Sequence, residues 1–72
     1  MFQRKVFGGR LRELRRAKHE TQDHLATLLG VTVTQISDLE NGKTTTTFEK
    51  LVAICEYYNV SADYLLGLTD EP

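Results

Sequence analysis

Seventy-two residues with 40% apolar content make one small domain with a core, rather than a disordered tail. No apolar run nears the roughly 18 residues of a membrane span, and the Met1–Phe7 stretch leads into charge rather than a secretory core, so a soluble cytoplasmic protein is expected. The net charge of −1 conceals a gradient: residues 1–19 hold seven cations against Glu13, a balance of +6, whereas residues 20–72 hold Lys43 and Lys50 against nine acids, a balance of −7.

The apolar spacing is helical throughout and predicts five short helices. The first runs from about Arg4 to Lys18, with Phe7, Leu11 and Leu14 as its inward stripe. Gly8-Gly9 weakens it by about 1 kcal/mol per glycine relative to alanine, which points to fraying or close packing there. The second helix starts at Thr21, carries Leu25, Ala26, Leu28 and Leu29, and stops at Gly30. Glu20 and Asp23 complement its dipole.

The third helix opens at once. Thr32-Val33-Thr34-Gln35 has capping-box spacing, Thr32 at the cap and Gln35 three residues on, and Ile36 and Leu39 point inward. Asn41-Gly42 ends it. A fourth helix over Phe48–Tyr58, capped by Thr46 or Thr47, has Phe48, Leu51, Val52, Cys55 and Tyr58 as its apolar face. Ser61 caps a last short helix with Tyr64, Leu65 and Leu66 that stops at Gly67.

Cys55 is the one cysteine, which excludes an internal disulfide; lying in an apolar pattern, it reads as a packed, inert thiol. His19 and His24 have no partners in a catalytic arrangement and read as surface histidines. With no nucleophile–base pair, metal cluster or phosphate-cradling glycine loop, neither an enzyme nor a metal or cofactor is expected.

Only Gly30, Val31 and Thr32 separate the second and third helices, so the two must cross steeply. With Leu25, Leu29, Val31, Ile36 and Leu39 turned inward, the other side of the third helix displays Val33, Thr34, Gln35, Ser37 and Asp38. Short hydrogen-bonding groups and one methyl-bearing side chain suit the major groove of DNA.

Thr21-Gln22, Leu25-Ala26, Leu29-Gly30-Val31, Ile36 and Leu39-Glu40-Asn41-Gly42-Lys43, at this spacing, resemble the helix-turn-helix of the phage repressor and Cro family with its Xre-type regulators. The likeness extends to Leu11–Arg15 and to Tyr58–Gly67. It implies an all-α, compact five-helix, lambda-repressor-like domain over residues 1–72, with the helix-turn-helix at Thr21–Asn41. It also implies a transcriptional regulator, most often a repressor, that binds a roughly palindromic operator in double-stranded DNA as a homodimer.

By this resemblance Gln22 bonds the DNA backbone and braces against the third helix, Val33, Thr34 and Asp38 fall where the family reads bases with Gln35 at the groove edge, and Asn41, Lys43 and Thr44 hold phosphates; Thr32 and Ser37 complete the candidate DNA-binding set. Arg15 and Glu40 match a structural salt bridge of the family. Ala62, Tyr64, Leu65 and Leu66 are the candidate dimer contacts. Thr46 stands where family members often carry proline, and the anionic Asp38 accepts only from a donor such as cytosine N4. The alternative reading is a helix-turn-helix used as a protein-interaction module, antitoxin- or adaptor-like, to which the overall acidity is suited. Few cations outside the first helix imply few phosphate contacts and a shallow salt dependence.

Overall fold

The computed structural model describes all 72 residues as five helices without strands: α1 Arg4–Ala17, α2 Gln22–Leu29, α3 Val33–Glu40, α4 Phe48–Tyr58 and α5 Ala62–Leu65. Four of the starts are set by side chains. Thr21, Thr32, Thr47 and Ser61 each sit in extended backbone and accept a hydrogen bond from the N–H three residues on. Thr47, not Thr46, therefore caps α4. The stops are mostly left-handed residues: Gly30 at φ +68°, and Asn59 at φ +54°. After Gly30, the Val31 N–H returns to the Ala26 carbonyl at 2.9 Å, which fixes the bend between α2 and α3. His19, at φ +57°, bends the chain out of α1, a stop its residue type does not announce.

All five helices feed one core of Phe7, Leu11, Leu25, Ala26, Ile36, Leu39, Ile54, Tyr58 and Leu65. α3 packs chiefly on α1 and α2, so the steep helix pair rests on the first helix as a platform. That contact depends on Gly8. A Cβ there would overlap the Leu39 carbonyl oxygen and stand 2.7 Å from that of Glu40, so α1 meets the C-terminal turn of α3 backbone to backbone.

Three expectations are corrected. The inward face of α4 is rotated: Ile54 is fully buried while Phe48 and Val52 are 87% and 55% exposed. Leu65 is wholly buried and belongs to the core, which removes it from the candidate dimer contacts. Glu20 does not serve the α2 dipole. Its carboxylate accepts hydrogen bonds from Tyr57 and, at 2.9 Å, from Tyr58, with His24 Nε2 at 3.4 Å. Burial pushes the Glu20 carboxyl up, but the two phenol hydrogen bonds prevail and hold it below its ordinary value. Burial and the same carboxylate push the Tyr58 phenol well up. Cys55 is half-buried, and desolvation raises its thiol pKa, which fits an inert packing role.

Candidate nucleic-acid interface

The first turn of α3 is closed by a reciprocal pair: Thr32 Oγ1 accepts from the Gln35 N–H at 3.1 Å, and Gln35 Oε1 accepts from the Thr32 N–H at 2.8 Å. Thr32, Val33, Thr34 and Gln35 are exposed and Ser37 and Asp38 half-buried; Val33, Thr34, Ser37 and Asp38 share the side of α3 turned away from Ile36 and Leu39, whereas Gln35 flanks Leu39 and Thr32 is the cap. Four of the expected reading residues thus stand together on the outer side of α3, with Gln35 and Thr32 at its edge. The cap limits Gln35, however. Its amide oxygen is already engaged, which leaves the NH2 group free to donate.

Asp38, Gln35, Thr44–Thr47 and Lys50 line an open groove of about 440 Å³ between α3 and the loop that leads to α4. Lys50 and Thr45–Thr47 were not among the expected site residues. The loop curls back through a glycine stop: Gly42 is left-handed at φ +73°, and the Lys43 N–H donates to the Asp38 carbonyl at 2.9 Å, the return that the Asn41-Gly42 signal marks.

Glu40, at the end of α3, is the hub that fixes this face to the platform. Its Oε2 accepts from Arg15 Nε at 2.7 Å, and its Oε1 accepts from Arg15 Nη2 and Gln22 Nε2, each at 3.0 Å. Arg12 Nε stands 3.5 Å from Oε1. Arg15 also donates to the Glu20 carbonyl at 2.7 Å, so one guanidinium spans α3 and the α1–α2 turn. Burial pushes the Glu40 carboxyl up, yet the hydrogen bonds from Arg15 and Gln22 and the Arg15 charge outweigh it and hold the group below its ordinary value. The same hydrogen bond raises Arg15 further above neutrality. Gln22, half-buried at the start of α2, therefore braces α3 from the position where the resemblance puts a backbone contact.

Asn41 is held from both sides: Arg12 Nη2 donates to its Oδ1 at 2.6 Å, and its Nδ2 donates to Ser37 Oγ at 3.3 Å. Arg4 Nη1 donates to the Lys43 carbonyl at 3.2 Å, and a Cβ on Gly42 would fall 2.6 Å from Lys5 Cγ. The basic first helix thus abuts Asn41–Gly42–Lys43, an arrangement whose only sequence trace is the charge gradient. Lys43 and Thr44 are exposed beside it. Far from this face, Ala62 is exposed and Tyr64 and Leu66 are half-buried. One side of the Tyr64 ring is covered by the Arg10 guanidinium, 4.3 Å from its centroid.

Residues 11–65 match the family model described as helix-turn-helix. The chain belongs to the helix-turn-helix family. Within it, the kinship is with phage repressors and Cro/C1-type regulators, as the five-helix architecture already indicates. Among relatives, the chain is 40% identical over 63 residues to the uncharacterized HTH-type transcriptional regulator YobD of Bacillus subtilis, covering 88% of this chain and 56% of that protein. It is 44% identical over 62 residues to RghRB of the same organism, covering 78% of this chain and 45% of that protein. The chain thus spans about half the length of these curated relatives. Among solved structures, the c2 repressor of a bacteriophage, in complex with a synthetic operator, superposes with a TM-score of 0.78 at 33% identity over 85% of this chain and 92% of that one. The restriction-modification controller protein C.AhdI of Aeromonas hydrophila gives 0.74 at 29% identity over 86% and 94%.

Proposed function

We propose that this helix-turn-helix domain is a sequence-specific transcriptional regulator, a repressor, that places α3 in the major groove of a roughly palindromic operator as a homodimer. The observation that carries the reading is the α3 face: a capped helix with short hydrogen-bonding side chains outward, its far end locked to α1 and α2 through Glu40. Thr34 and the free amide of Gln35 face base edges, Val33 offers methyl groups to thymine, and Asp38 accepts from cytosine N4. Gln22, Asn41, Lys43 and Thr44 hold phosphates, which set register without reading sequence. The operator-bound structure of a repressor at 33% identity supports this placement.

The second copy joins through the α4–α5 end. With Leu65 in the core, Ala62, Tyr64 and Leu66 remain, and Leu66 lines an apolar groove together with Phe2, Phe48 and Leu51. Selection of duplexes from a random pool tests the function. Enrichment of a palindrome, lost in Thr34→Ala/Gln35→Ala, is the expected result. No enrichment even at low salt overturns the proposal and favours a protein-interaction module.

A further inference from the structure

α1 carries six cations; Arg10 and Arg15 are the most deeply engaged in holding the fold together, and Arg4 and Arg12 also make contacts within the chain. Arg15 is bound to Glu40. Arg10 donates to the Tyr64 and Thr69 carbonyls and to Asp70 Oδ1, which ties down the C-terminal segment. Of the others, Lys5, Arg12 and Arg16 share a stripe with Gly9. At about 100° per residue these four positions fall within a sector of about 60°. Lys5 and Arg16 are exposed and make no ion pair, and about a third of the Arg12 side chain is exposed. Glu13, the one acid of α1, bounds the stripe on the side away from α3.

Two contacts fix where the stripe points. Lys5 lies against Gly42, and Arg12 bonds Asn41, so the stripe borders the C-terminal end of α3 next to Asn41 and Lys43. Gly9 then has a use that packing within the chain does not give it. The lack of a side chain at Gly8 is demanded by the α3 carbonyls, but nothing lies within 4 Å of where a Cβ on Gly9 would stand. Glycine is a poor choice for an open position inside a helix, unless another backbone comes close. Here it leaves a notch between Lys5 and Arg12, with Arg16 one turn further along the stripe and Glu13 at its outer edge, which suits a polyanion with a slim backbone.

We infer that Lys5, Gly9, Arg12 and Arg16 form a second contact with the DNA sugar-phosphate backbone, flanking the segment read by α3. The inference rests on the proposed function and extends it: α1, besides being the platform for α3, is a phosphate-binding element. Arg12 serves twice, orienting the Asn41 amide and adding its own charge. The shallow salt dependence expected from the few cations beyond α1 is revised accordingly, since each phosphate contact adds about 0.9 to the slope of log affinity against log salt. Arg16 and Arg15 also complement the α1 dipole, but that role needs no alignment with Lys5.

The test uses the whole chain and a duplex obtained by selection, titrated at several salt concentrations, with helicity checked by circular dichroism. Lys5→Gln/Arg16→Gln is expected to lower the slope by about 2 and to weaken all operator variants alike. Lys18→Gln removes a charge whose ammonium sits 4.5 Å from the Tyr57 ring centroid, off the stripe, and is expected to leave the slope unchanged. Gly9→Gln, a better helix former that fills the notch without charge, is expected to reduce affinity about tenfold. A parental slope in Lys5→Gln/Arg16→Gln, or one shifted equally by Lys18→Gln, overturns the stripe while leaving the proposed function standing. Parental affinity in Gly9→Gln overturns the close approach. Failure of the parent chain to bind any duplex overturns the proposed function, and the stripe with it.

Discussion

The Arg15 guanidinium grips both carboxylate oxygens of Glu40, at 2.7 and 3.0 Å, and both side chains are buried. Ionic hydrogen bonds of this fork geometry are strong, but the larger consequence lies in what each partner leaves behind. Glu40→Gln strands a cation beside the core, turns one of two acceptor oxygens into an NH2 donor that faces other donors, and removes the charge facing Arg12. The expected cost is about 3–5 kcal/mol, read by urea denaturation. A loss below about 1 kcal/mol would show that water reaches the pair. Because Arg15 also holds the Glu20 carbonyl, Arg15→Met is expected to cost a similar amount and to loosen the α1–α2 turn.

Acid should weaken the fold through the same groups. Glu40 and Glu20 both have folded-state pKa values below the ordinary carboxylate value of 4.5. A lowered carboxylate stabilises the fold fully above its unfolded pKa, and that contribution fades as pH falls through the folded one. Melting temperature is therefore expected to hold down to about pH 5 and to decline below about 4.5. In Glu40→Gln the decline should be shallower. At the alkaline end the sign reverses for Tyr58. Its phenol is raised, so its contribution is complete below the ordinary tyrosine value of 10.0 and is lost as pH climbs through the folded value. Tyr58→Phe, followed by melts across the alkaline range, isolates that limb.

What the sequence shows and what it hides divide along a physical line. Caps and stops are local, so Thr21, Thr32, Ser61 and Gly30 are legible, and with them the helices and the α3 face. Which apolar residue of α4 turns inward is not local. Leu51, Ile54, Cys55 and Tyr58 stand at helical spacing, but Phe48 and Val52 widen the apolar surface on one side, and only packing shows that the Ile54 edge is buried and the Phe48 edge exposed. Leu65 was expected at a dimer surface for the same reason: a four-residue helix has no face of its own until it is docked. The positions of Arg4, Lys5 and Arg12 beside Asn41–Lys43 depend on how α1 crosses α3, and Gly8 sets that crossing. The charge gradient signals that the cations matter; the packing shows where they point.

The capping box at the head of α3 should be worth more than one hydrogen bond. Thr32→Ala removes the acceptor for the Gln35 N–H, at an expected cost of about 1 kcal/mol. For a domain of this size that lowers the melting temperature by about 4–8 °C. Gln35→Ala removes the reciprocal bond to the Thr32 N–H, so the double variant is expected to lose less than the two single losses combined. A double-mutant cycle on thermal melts measures the difference. Strict additivity would show that the two bonds act independently.

Gly8 and Gly9 are adjacent, alike in sequence and opposite in consequence. In an open helix interior, alanine is preferred to glycine by about 1 kcal/mol, because glycine loses more backbone freedom on folding. At Gly9, where a Cβ meets nothing within 4 Å, that gain is available, and Gly9→Ala is expected to stabilise the fold by up to about 1 kcal/mol. At Gly8 the new methyl would overlap the carbonyl oxygen of Leu39 and stand within 3 Å of Glu40 backbone atoms. Backbone cannot rotate away as a flexible side chain can, so α1 and α3 must separate. The separation also stretches the Arg15–Glu40 and Arg12–Asn41 links across the same junction. Gly8→Ala is therefore expected to cost about 1–3 kcal/mol or more despite its better helix propensity. Urea denaturation of the two variants side by side gives shifts of opposite sign. Stabilisation by both would mean that α1 and α3 part without loss, and that the close approach at Gly8 does not hold α3 in place.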